Sequence, residues 1–191
     1  MNGSLPLRVV SVEALPAAYQ RILAPADAAQ VEAPPDRPRH FYEVDSWETA
    51  LQVQLSPHFA LWEFIDVDAR ETPLMRAFPR YVPCAIGLLA VHLELFRLQV
   101  GVPVRIAANG GYRSPALQGA DPASTHAWGT AANVYRIGDE YMADRETVER
   151  YAAIARRTLP AAWCRPYGAA PGQTTDHLHI DLGHLVCAPR G

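Results

Sequence analysis

Several familiar features are missing from this chain, and each absence narrows what it does. No run approaches the roughly 20 apolar residues of a bilayer-spanning helix. Even the apolar stretch from Tyr81 to Gln99 is interrupted by His92, Glu94 and Arg97, so no helical membrane span is expected. Charge of one sign is also missing: 17 basic and 20 acidic side chains leave a net charge of -3. That balance supplies no field for gathering nucleic acid or an anionic cell wall, and the expected partner is small or neutral. Cysteine is scarce. Cys84, Cys164 and Cys187 are spaced neither as a zinc knuckle nor as a Cys-x-x-Cys pair and read as buried thiols; a Cys164-Cys187 disulfide stays open. The start, Met1 to Arg8, lacks the basic head and apolar core of a secretory signal, so the expected location is cytoplasmic. Neither internal repeats nor low-complexity tracts occur.

What is present is a chain of 191 residues, 49% of them hydrophobic, enough for one domain with a substantial core and too short for two. Residues 1–55 are rich in Pro and Ala and include Pro34-Pro35-Asp36-Arg37-Pro38, which reads as an extended arm or loop. The functional domain is expected over 56–191. Within it, 81–99 is too apolar for a surface helix and predicts a largely buried one. Val102 to Ala107 is β-branched and alternating, a strand that delivers Gly110-Gly111-Tyr112-Arg113 into a turn. A helix is expected from Asp144 to Leu159, with Asp144 as N-cap and Pro160 as stop. Strands are expected over Gly129 to Tyr135 and His177 to Leu182. The result is an α+β fold, with helices packed on a small, mainly antiparallel sheet.

Three segments carry the chemistry: Gly111-Tyr112-Arg113-Ser114-Pro115, Ser124-Thr125-His126-Ala127-Trp128-Gly129-Thr130-Ala131-Ala132-Asn133, and Asp176-His177-Leu178-His179-Ile180-Asp181. Period-two alternation puts Asn133 on a face shared with the small Gly129 and Ala131, and puts His177, His179 and Asp181 on one face of their strand. In this order the three segments resemble the zinc D-Ala-D-Ala carboxypeptidase family, within the D-Ala-D-Ala metallopeptidase and Hedgehog-like superfamily. That family reads Ser-x-His-x-x-Gly-x-Ala-x-Asp, and this chain has Asn133 in place of the Asp. The weaker match His58-Phe59-Ala60-Leu61-Trp62-Glu63-Phe64 is similar to a segment that packs on the catalytic core in some members.

The resemblance implies zinc held by His126, Asn133 and His179. Hydrolysis at such an ion needs three protein ligands, a place for water and a carboxylate that passes the water's proton to the leaving amine. Asp176, three residues before His179, matches that carboxylate. Arg113 matches a fixed positive charge for the carbonyl oxygen, Ser124 a contact for the substrate's carboxylate or amide, and His177 a hydrogen bond near the water. Tyr112 is taken with Ser124 as a candidate substrate contact and Trp128 as a candidate pocket wall, although the ordinary reading of each is a packed aromatic. His40, His58, His92 and His184 are read as ordinary solvated or hydrogen-bonded side chains.

Asn133 makes the chemistry conditional. A neutral amide oxygen holds zinc more weakly than a carboxylate, yet leaves the ion its full charge. Asp176 entering the coordination shell would restore a negative charge at the cost of its role as base. The segment 114–123 is shorter than the family loop, and its Asp121 is a nearby carboxylate or simply a turn starter. Three functions follow: a zinc peptidase or amidase acting on small peptides or peptidoglycan fragments, some with D-amino acids; a degenerate member that binds without turnover; or an enzyme of altered chemistry on a small metabolite.

Overall fold

A computed structural model describes residues 5–23, 37–71, 78–116 and 123–189. The architecture is α+β: helices are packed against small antiparallel sheets rather than against the single small sheet expected. The first sheet joins β1 (Arg8–Ser11), β2 (His40–Val44) and β5 (Arg80–Pro83), with β2 in the middle. The hairpin of β3 (Gln54–Ser56) and β4 (Phe59–Ala60) follows β2. A third sheet orders β6 (Val104–Arg105), β8 (Arg136–Ile137) and β9 (Glu140–Tyr141). The fourth sheet has β11 (Leu178–Asp181) between β7 (Ala131–Val134) and β10 (Trp163–Cys164). Five α-helices occur in the described chain: α1 (Ala17–Leu23), α2 (Trp47–Gln52), α3 (Leu61–Glu71), α4 (Ile86–Val100) and α5 (Arg145–Thr158).

The arm expected over 1–55 is folded wherever it is described. The β2 strand pairs residue for residue with β5, from Phe41 opposite Pro83 to Val44 opposite Arg80. Val44, Ala50 and Val53 lie in the same apolar core as Phe64, Leu89 and Ile180. Their burial gives this stretch the apolar contacts that its Pro and Ala content hides; the tract Pro34-Pro35-Asp36 and Asp121 lie outside the described residues. The predicted helix over 81–99 is corrected at its start. Tyr81 and Val82 are strand, Pro83 closes β5, and the helix begins at Ile86 and ends at Gly101, whose φ of 74° suits a left-handed cap. It is also not largely buried, because Leu88, Val91, Leu95 and Leu98 face outward.

Other expectations are met in part: β6, β7 and β11 are shorter than the strands expected over 102–107, 129–135 and 177–182, so His177 lies just before β11, and Cys187 is only half-buried. Asp144 caps α5 by accepting from the Thr147 N–H at 2.9 Å. The α5 helix packs on α4, β10 and β11, and Leu178 and Ile180 of β11 enter the core beneath it. That leaves the opposite face of β11 for His179 and Asp181. All three cysteines are free thiols. No helix among the described residues is long and apolar enough to cross a membrane.

Candidate metal and catalytic site

Strand register assembles the site. In the β7–β11 pair, Asn133 lies directly opposite His179 and Ala131 opposite Asp181. Gly129 is not in the strand: it caps the 3-10 turn Thr125–Trp128 with φ 70°, so the chain swings round before β7 begins. That turn carries His126, whose N–H faces the Ser124 hydroxyl at 3.4 Å. The Gly110 to Ser114 turn lies alongside it. The Arg113 N–H donates to His126 O at 3.2 Å, the Asn133 N–H to Gly110 O at 3.0 Å, and the Tyr112 N–H to Phe64 O at 2.8 Å. Asp68 of α3 fastens the far end, accepting from both the N–H and the hydroxyl of Ser114 at 2.7 Å and pairing with the buried Arg80 at 2.9 Å.

The three candidate ligands meet. His126, Asn133 and His179 are all buried, and the two imidazole centroids are 5.2 Å apart. His126 Nδ1 donates to Gly111 O at 2.5 Å, which fixes that tautomer and leaves Nε2 as a free lone pair. The Asn133 amide donates to Asn109 O at 3.5 Å and turns Oδ1 toward His179 Nδ1, 2.8 Å away. On the other side of the ring, His179 Nε2 is 3.4 Å from Asp181 Oδ2. A proton on Nδ1 bonds the ring to Asn133. A proton on Nε2 bonds it to Asp181 and faces two lone pairs, Nδ1 and Oδ1, toward each other. The second arrangement is the one a cation stabilises, with Asp181 orienting the ligand from behind.

Electrostatics suit the same reading. Burial, followed by the neighbouring His179, pushes the His126 pKa down to about 3, and burial lowers that of His179. Both rings are therefore neutral at neutral pH, the form that binds a metal. Burial alone would raise the Asp181 pKa. Hydrogen bonds from His179, from the Thr125 hydroxyl at 2.7 Å and from the Gly183 N–H at 2.5 Å outweigh it, and Asp181 titrates below the usual carboxylate range. Two neutral imidazoles have the chemistry of borderline-metal donors, but among the described residues no three His, Cys, Asp or Glu side chains gather as a metal group, and the third candidate, Asn133, is an amide.

The remaining predicted residues fall around this centre. Asp176 is largely exposed, and its Oδ1 is 2.6 Å from His177 Nδ1. His177 Nε2 is buried and has no hydrogen-bond partner, burial lowers its pKa, and its ring centroid is 6.4 Å from that of His179. Arg113 donates to Asn109 O at 3.2 Å, while its buried Nε has no partner. Ser124 is half-buried, beside His126 in sequence and space. Tyr112 is in the apolar core and only 1% exposed, a position that suits packing rather than substrate contact. Trp128 is fully buried as well.

Sequence reading overlooked three neighbours. Asp181 was placed on the right face without a role; its signal was its position two residues after His179. Trp163 stands opposite Asp181 in the β10–β11 pair and meets the His179 ring edge-on at 5.8 Å. The Arg165 N–H donates to His179 O at 3.3 Å, and its charge helps depress both His177 and His179. Neither belongs to a motif, because strand pairing alone brings them in. A cavity of about 340 Å³ beside Arg165 is lined by Val148, Glu149, Ala152, Arg156, Pro166 and Tyr167, and none of the candidate ligands borders it. No family model matches the chain, and no curated protein or solved structure does either.

Proposed function

We propose that this chain is a zinc-dependent peptidase or amidase of the D-Ala-D-Ala metallopeptidase type, with the related Hedgehog-like fold. It acts on small peptides or peptidoglycan fragments, including those with D-amino acids. One observation carries the reading: the buried His126 and His179 rings lie 5.2 Å apart with Asn133 Oδ1 2.8 Å from His179 Nδ1, and the remaining polar atoms of the three side chains that are bonded face Gly111, Asn109 and Asp181. These residues would hold the ion, which when bound polarises a carbonyl and acidifies a water.

The chain's own residues divide the remaining work. Asp176 fixes the proton on His177 Nδ1, which leaves the buried Nε2 as the proton acceptor. The carboxylate read from the sequence as the base thus acts through its neighbour. Arg113, with Nε unpartnered, supplies positive charge to the carbonyl oxygen as it becomes negative, and Ser124 lies where a substrate carboxylate or amide can be held. In a cytoplasmic setting the substrates are soluble fragments, not the intact wall.

The test is amine release from D-Ala-D-Ala dipeptides and from muropeptides by the zinc-loaded protein. Release should fall by about 10²- to 10⁴-fold in Asp176→Ala and His177→Ala. Absence of release from every peptide by zinc-loaded wild type would remove the hydrolase reading. It would favour the degenerate binding domain, for which the observation is Asn133, an amide whose hydrogen bonds are satisfied without any ion.

A further inference from the structure

On α5, Val148, Ala152 and Arg156 recur every four residues and Glu149 lies beside them, so the four share one face of the helix. Across from that face stands the segment Arg165 to Tyr167, and the space between is the cavity of about 340 Å³, near the small end of the roughly 300–1,000 Å³ of small-molecule sites. Its walls are held by the chain itself. The Arg165 N–H donates to His179 O at 3.3 Å, the Thr174 N–H to Pro166 O at 3.1 Å and the Gly168 N–H to Thr174 O at 2.9 Å. Val148 and Ala152 are buried and, with Pro166 and the Tyr167 ring, give the cavity an apolar side.

Charge decides what fits there. Among the described residues of the lining, Glu149 is the one carboxylate, and it is already taken: Arg145 pairs with it at 2.8 Å and lies over the Tyr167 ring at 5.1 Å. Arg156 and Arg165 meet no carboxylate within ion-pairing distance among the described residues. Arg165 is half-buried, and its Nε is buried without a hydrogen-bond partner. An unmet donor on a half-buried guanidinium is costly, and the group that satisfies such a fork best is a carboxylate. We propose that this cavity binds a small organic carboxylate, its oxygens bridging Arg165 and Arg156 and its apolar body lying against Val148, Ala152 and Pro166. None of His126, Asn133 and His179 borders the cavity, so the site stands whether or not those residues hold an ion.

Benzoate is the probe, with benzamide as its neutral isostere and inorganic phosphate as an anion without an apolar body. Isothermal titration calorimetry of the full chain should show a single benzoate site with a dissociation constant of roughly 0.1 to 1 mM, the same in zinc-loaded and chelator-stripped protein. Benzamide and phosphate should each bind at least about tenfold more weakly. Arg165→Gln should weaken benzoate by about tenfold or more, and Arg156→Gln, at an exposed position, by several-fold. Ala152→Leu fills the cavity without altering its charge and should abolish binding in a chain that still melts cooperatively. Benzamide bound as well as benzoate, or benzoate affinity undiminished in both arginine variants, overturns the proposal. Phosphate bound more tightly than benzoate overturns the organic carboxylate in favour of a bare anion. Binding that disappears when zinc is stripped would put benzoate at the metal trio and overturns it equally.

Discussion

His179 is held at both ring nitrogens, by Asn133 on one side and Asp181 on the other, so which nitrogen carries the proton decides whether the site is closed on itself or open to an ion. His126→Ala and His179→Ala should each abolish zinc uptake, whereas Asp176→Ala should leave it intact and remove turnover; equilibrium dialysis and an amine-release assay separate the two effects. Asn133→Asp returns a charged oxygen to the pair and should tighten zinc by at least about 100-fold. Unchanged affinity would mean that residue 133 does not face the metal. Asp68 works at the same scale from outside the site. It is buried between Arg80 and the Ser114 backbone and hydroxyl, and Asp68→Ala strands a buried guanidinium. A loss of about 3–5 kcal/mol is expected in denaturant melts.

Among the elements, the Gly110 turn and the β3–α4 contact carry the sharpest consequences. Gly110 has φ 72°, and an added Cβ would lie 2.7 Å from Val67 Cγ2 of α3. Gly110→Ala should therefore cost about 1–3 kcal/mol and loosen the turn that holds His126, seen as a lower melting temperature and weaker zinc binding together. Glu94 of α4 anchors the β3–β4 turn by accepting from Ser56 at 3.0 Å, from the His58 N–H at 2.9 Å and from His58 Nδ1 at 2.6 Å. Burial would raise its pKa, but these bonds outweigh burial and lower it. A carboxyl depressed on folding stabilises the fold above its unfolded pKa, and that contribution fades as pH falls through the lower folded value. Glu94→Gln should cost about 2 kcal/mol at pH 7. Its melting temperature should then fall less than that of wild type between neutral and acidic pH.

Two elements show what sequence could and could not reveal. The α5 helix was legible from Asp144 to Pro160 because one amphipathic period, one cap and one stop agree. Helix α4 was half legible: its apolar content marked a helix, but composition says only that every face seeks cover, not whether this chain supplies it. The start was misread because β5 and α4 run together as one apolar stretch, and only pairing of Tyr81 and Val82 with β2 separates them.

For the whole molecule, the order of three motifs named the candidate ligands, and strand alternation gave the face of β11 that carries His179 and Asp181, whereas His126 comes from the 3-10 turn. The partners that orient those ligands were not legible. Gly111 and Asn109 act through backbone carbonyls, which carry no side-chain signature, and Trp163 and Arg165 reach His179 only through β10–β11 pairing. The folded arm was hidden for a similar reason, since β2 becomes a strand by lying between β1 and β5.

The central claim is that His126, Asn133 and His179 form one metal site, and the most direct measurement is zinc per chain by elemental analysis after loading and exhaustive dialysis of the untagged protein. About one zinc retained per wild-type chain, and none in His179→Ala, is the expected result. A wild-type chain that emerges metal-free would contradict it and leave the buried trio as a hydrogen-bonded cluster closed by its own amide.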